Sequence, residues 1–151
     1  LSVVLFNLCV ATPVLAAEQS DVVELEATVI GYDTSLSEGI NPRSTTFIDT
    51  SIDVVFEPDG MDVRIHTGTT MPASVIGVKD IKIQKKGLFG IWTTVATSEG
   101  GEDYNIGSVA VRITYTGAVK GETYRVYCVH YANVDEYREL EHETTGMTCA
   151  Y

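Results

Sequence analysis

Basic residues are scarce in this chain: 10 Lys and Arg stand against 21 Asp and Glu, a net charge of −11. A nucleic-acid partner needs a basic footprint to displace the counterions of its phosphates, so no nucleic acid is expected. The same deficit argues against docking on anionic membrane surfaces. Histidine is limited to His66, His130 and His142, and cysteine to Cys9, Cys128 and Cys149. No Cys/His spacing suited to zinc and no glycine-rich phosphate cradle occurs, so neither metal nor cofactor is expected. A Gly-x-Ser-x-Gly turn is absent, and with it the usual signature of an activated serine. Apolar residues never recur at helical spacing over three turns, and beyond Leu15 no apolar run could span a bilayer.

What is present starts with a leader. Leu1 to Leu15 is apolar apart from Ser2, Asn7, Thr12 and Pro13, and Ala16-Ala17 precede Glu18. A short apolar run closed by small residues reads as a secretory signal peptide over residues 1–17. A short membrane anchor is the alternative, although the run is brief for a span. Lipidation at Cys9 is rejected, because Phe6-Asn7-Leu8 lacks the small residue expected before the cysteine. Residues 18–151 are then one exported domain, secreted and soluble, long enough for a single core.

That remainder reads as strands. Val23, Leu25, Ala27 and Val29 alternate with Glu24, Glu26 and Thr28, the pattern of one half-buried strand. Residues 31–43 form a loop, and a further loop closes at Pro72. Ile52, Val54 and Phe56 lead into Glu57-Pro58-Asp59-Gly60, and Met61, Val63 and Ile65 lead out. Proline presets φ and glycine accepts a positive one, so this is a hairpin. Val78, Ile81 and Ile83 run to a second hairpin tip at Lys85-Lys86-Gly87-Leu88-Phe89-Gly90, and Trp92, Thr94 and Ala96 return. Ser98 to Asn105 is an acidic loop, Val109 to Tyr115 another alternating strand, and Glu139 to Tyr151 the last one.

The stretch from Gly121 to Ala132 organises the rest. It is rich in β-branched and aromatic residues, free of proline, and predicts a central strand with partners on both sides. Tyr124, Val126 and Cys128 share one face; Arg125, Tyr127 and Val129 share the other. A return strand turning near Tyr137-Arg138 would bring Cys149 roughly opposite Cys128. Export permits a disulfide there, with two packed thiols as the alternative. About eight strands with regular turns predict an all-β, two-layer antiparallel β-sandwich, and a small β-barrel is the competing architecture.

Gly121-Glu122-Thr123-Tyr124-Arg125-Val126-Tyr127-Cys128 resembles the penultimate strand of fibronectin type III and related immunoglobulin-like domains. The resemblance covers roughly residues 72–151. It implies that Tyr124 makes a tyrosine corner and that Trp92 is a core aromatic. Cys128 lies four residues after Tyr124 rather than two, so the immunoglobulin inter-sheet disulfide is not implied. With its leader, the chain is also similar to small secreted proteins of unknown function from Gram-positive bacteria. The resemblance implies a fold and no activity.

Chemistry is thinly supplied. His130 falls on the face of Tyr124, Val126 and Cys128, where a packed, hydrogen-bonded histidine is expected rather than a catalytic one. A Cys128–His130 thiol–imidazole pair is disfavoured for the same reason. Calcium could draw on Glu99, Glu102 and Asp103, or on Asp59 and Asp62, but neither set follows the EF-hand loop, and solvated acids are expected. Lys79, Lys82, Lys85 and Lys86 cluster just before Leu88 and Phe89. Two apolar residues on an exposed tip either meet a partner or fold back over the core. Asp135, Glu136, Glu139, Glu141 and Glu143 crowd the last connection, where like charges discourage strand-to-strand aggregation. The reading is a non-enzymatic extracellular binding module with Lys82, Lys85, Lys86, Leu88 and Phe89 as candidate contacts for a protein or glycan. Two alternatives stand beside it: self-association between the basic and acidic hairpins, and a hydrolase using a carboxylate or metal site.

Overall fold

The computed structural model describes residues 21–32 and 47–151, the side chain of Ile48 excepted. The leader expected over residues 1–17 and most of the loop expected over 31–43 lie outside the described residues. Among the described residues eleven strands run in chain order: β1 Val23–Glu24, β2 Thr28–Tyr32, β3 Phe47–Glu57, β4 Gly60–Ala73, β5 Val75–Lys86, β6 Trp92–Ser98, β7 Gly101–Asp103, β8 Ile106–Tyr115, β9 Thr123–Asn133, β10 Tyr137–Glu143 and β11 Met147–Thr148. They form two open sheets rather than a closed barrel. The large sheet is ordered β1-β6-β5-β9-β10, with β7 also on β5 and β11 on β9; the small sheet is β2-β8-β4-β3. The protein is all-β, and among the described residues no helix is long and apolar enough to cross a membrane.

Among the described residues the larger of two apolar clusters lies between the sheets, and a smaller one gathers Ala73, Ile76, Val109 and Ala132. Met61, Val63, Ile65, Val111 and Ile113 of the small sheet meet Val78, Ile83, Tyr124, Val126 and Cys128 of the large one. Period-two alternation along β4, β8 and β9 places these residues inside. The central strand is where the sequence put it, with β5 on one flank and β10 on the other. The hairpin at Pro58-Asp59 is also present, with Glu57 opposite Gly60 and φ of Gly60 at 156°. The Tyr124 hydroxyl accepts a hydrogen bond from the Val119 N–H at 2.9 Å, and its ring packs between Phe56 and Tyr115.

Several expectations need correction. The alternating stretch 23–29 is not one strand. β1 pairs in parallel with β6 of the large sheet, Leu25 N–H bonds Thr97 O at 2.8 Å, and β2 then joins β8 of the small sheet. The alternation survives the crossing because the core lies between the sheets and both segments turn the same side chains toward it. No loop ends at Pro72: β4 runs on through it, with a register break against β8 between Gly68 and Ala73. The acidic loop contains β7, and the last strand is split into β10 and β11. Trp92 is no core aromatic. It stands half-buried on the outer face of the large sheet, with the Arg125 guanidinium 4.5 Å over its ring.

The expected disulfide is also absent, since both cysteines are free and buried. In the β9–β10 hairpin Tyr137 faces Asn133, and stepping outward from there brings His142, not Cys149, opposite Cys128. Cys149 lies past Thr148, the partner of Thr123, and its N–H bonds Glu122 O at 2.9 Å. At a rise of about 3.3 Å per residue, the two cysteines are roughly 20 Å apart along β9. A disulfide requires Cα atoms within about 7 Å.

Candidate functional site

The tip between β5 and β6 is closed by main-chain bonds. Gly87 N–H bonds Ile91 O at 2.7 Å, and Leu88 to Gly90 make a single 3-10 turn. Gly90 takes φ 76°, and Phe89, with φ 60° and ψ 17°, is also left-handed. The apolar residues do not fold back over the core. Leu88 is 84% exposed, Phe89 98% and Ile91 65%. Ile91 was not singled out in the sequence; a third apolar residue just beyond the glycine was its only signal.

The lysine cluster does not converge on the tip. Lys79 pairs with Glu139, bonds the Tyr137 hydroxyl at 3.2 Å, and lies over the Tyr131 ring. Its pKa is raised, chiefly by the Glu139 carboxylate. Lys82 sits 5.3 Å above the Tyr127 ring. Lys85 turns into a cleft at the end of the molecule lined by Asp21, Val23, Thr93, Val119 and Tyr124. Lys86 alone stands exposed beside the apolar tip. A working tip is therefore Lys86, Leu88, Phe89 and Ile91, with Lys82 about 13 Å behind at strand spacing and Lys85 at its flank.

The acidic cluster has local partners. Glu139 meets Lys79, Glu143 meets Arg125 at 2.8 Å, and Glu136 meets Arg138. The basic and acidic hairpins thus lie on either side of β9, joined across it by the single Lys79–Glu139 pair. Of the four clustered lysines only Lys79 is engaged in this way among the described residues; Lys82, Lys85 and Lys86 make no ion pair there.

Three of the five carboxylates considered for calcium have partners of their own. Glu102 accepts from the hydroxyls of Tyr104 and Tyr131, which hold its pKa below the usual carboxylate range. Asp103 accepts from Tyr104 N–H at 2.8 Å, and Asp62 accepts from Thr114 and Arg112. Among the described residues no group of three or more His, Cys, Asp or Glu side chains is placed to hold a metal ion.

Two histidine networks remain. His130 is fully buried: its Nδ1 lies 2.7 Å from Thr67 Oγ1, and its Nε2 lies 3.1 Å from His142 Nδ1 and 3.6 Å from Cys128 Sγ. Burial pushes His130 down to about 4 and the Cys128 thiol up to about 12. Both groups are neutral near pH 7, the opposite of a thiolate–imidazolium pair. The second network crosses β3, β4 and β8 on the outer face of the small sheet. His66 Nε2 is 2.6 Å from Ser108 Oγ, and Nδ1 is 3.4 Å from Asp49 Oδ2. The atom order is that of a Ser-His-Asp relay. Ser108, however, is 4% exposed and ladder-paired to Tyr32 on one side and Gly68 on the other, so the surrounding main-chain donors are engaged in the sheet. The network ties three strands together. No local motif could announce it, because its members come from three separate strands.

The chain matches no family model, no curated protein and no solved structure.

Proposed function

We propose that this chain is a secreted, non-enzymatic binding module on an immunoglobulin- or fibronectin-like β-sandwich, working through the β5–β6 tip. The exposure of Leu88, Phe89 and Ile91 at one point carries the reading. Burying a side chain of this size stabilises by about 1.5–3 kcal/mol, a gain that the isolated chain forgoes at all three positions. The partner is an extracellular protein or glycan offering an apolar pocket. The finer fold is supported by the Tyr124–Val119 bond, which reaches back a few residues as a tyrosine corner does.

The test is capture. The chain immobilised away from the tip is exposed to host cell-wall glycans and surface-protein extract, with Phe89→Ala beside it. Loss of about tenfold or more in retained ligand, with an unchanged unfolding transition, is the expected result. Equal retention by both proteins removes the tip as the working end.

A further inference from the structure

We propose that the tip's partner is a second copy of this chain, seated in the groove on the outer face of the small sheet. The inference rests on the reading of the tip as the working end and adds the identity of what it meets.

The groove, of about 420 Å³, has Ile30, Val55 and Ala110 as its apolar floor. These are outward positions of β2, β3 and β8, where a sheet facing water ordinarily shows polar side chains. Val55 is nonetheless 55% exposed and Ile30 44%. The rims are polar but satisfied. Arg64 donates to the Tyr32 hydroxyl at 2.9 Å, and Arg112 pairs with Asp62. Asp53 also lines the groove and accepts from the Ser51 hydroxyl at 3.3 Å; among the described residues it has no cationic partner.

The tip is the complement of this site. It is convex and apolar, and Lys86 stands beside it with no ion-pair partner among the described residues. Seating Phe89 on Val55 and Ile30 covers apolar surface on both copies and brings a free ammonium toward a free carboxylate. An outside ligand would satisfy the tip alone; a second copy satisfies both orphaned surfaces.

Tip and groove are distinct patches, and we take one tip-in-groove contact per pair of copies, which makes the contact heterologous. Each pair keeps one unused tip and one unused groove, and association proceeds head to tail rather than stopping at a two-fold dimer. Three tip side chains cover less than the roughly 1,200 Å² of a stable complex. The contact is therefore reversible and concentration-dependent.

Sedimentation velocity from micromolar to millimolar chain tests it. The weight-average mass of the wild type is expected to rise with concentration. Phe89→Ser and, separately, Val55→Asp are expected to stay monomeric, with Ile30→Lys as a second groove variant in case Val55→Asp fails to fold. Mixing the Phe89→Ser and Val55→Asp proteins leaves one sound groove and one sound tip, so the mixture should form a pair and grow no further. A monomeric wild type at every concentration, association indifferent to Phe89→Ser, or no pairing in the mixture overturns the proposal. A monomeric wild type that still captures an outside ligand through Phe89 overturns this inference and leaves the tip reading standing. Association and capture both indifferent to Phe89 remove the two together.

Discussion

Phe89 holds a left-handed backbone conformation while its ring stands in water. Such a conformation costs a non-glycine residue about 1 kcal/mol or more, and nothing in the tip's own packing offsets it. Asparagine tolerates this region far better than phenylalanine. Phe89→Asn should therefore raise stability by up to about 1 kcal/mol in urea unfolding while abolishing capture. A stability loss would show that the ring packs against the chain in solution. His130 gives the second expectation at this scale. Its pKa falls from 6.5 unfolded to about 4 folded, through burial first and then the charges of His142 and His66. Between those values the unfolded chain binds a proton that the folded one refuses. Stability is thus complete above pH 6.5 and declines as pH falls toward 4, by on the order of 3 kcal/mol at the lower limit. Urea midpoints measured at pH 7, 6 and 5 check the decline, and a flat profile would mean that His130 is solvated.

At the scale of the element, the β9–β10 hairpin decides the fate of the cysteines. Its register sets His142 opposite Cys128 and leaves Cys149 at the other end of β9. Both thiols are buried, so neither Cys128 nor Cys149 should react with iodoacetamide in the folded protein, and reductant should leave the melting temperature unchanged. Peptide mapping by mass spectrometry checks this; a linked Cys128–Cys149 peptide would contradict the register. The sequence reading put that turn near Tyr137-Arg138, whereas it spans Val134 to Glu136, and this slip along the chain is what set Cys149 opposite Cys128. The Pro58-Asp59-Gly60 hairpin was legible because its determinants are adjacent residues. The crossing at Leu25 to Ala27 was not, since both sheets ask for the same alternation. Nor was the fate of Leu88 and Phe89, which depends on whether distant residues leave room at the core's end. The Asp49–His66–Ser108 line depends on the pairing of β3, β4 and β8, and single-strand periodicity carries no information about it.

Across the whole molecule, the acidic excess is unevenly answered. On the outer face of the large sheet Lys79 and Arg125 pair with Glu139 and Glu143, and Arg138 pairs with Glu136 beside the β9–β10 turn. What the two sheets leave bare is apolar: a convex tip at one end and a shallow floor on the small sheet. The end that carries the tip also holds the first and last of the described residues. Asp21 lines the cleft beside Lys85, and Cys149 is bonded through its carbonyl to Gly121 N–H at 2.8 Å. Residues 21 and 151 therefore flank the tip rather than the far pole. A handle joined at either position, whether a fluorescent protein, a resin or a surface, would sit against the very residues it is meant to present. Attachment through a side chain at the Asp135-Glu136 turn, at the opposite pole, would leave them facing outward.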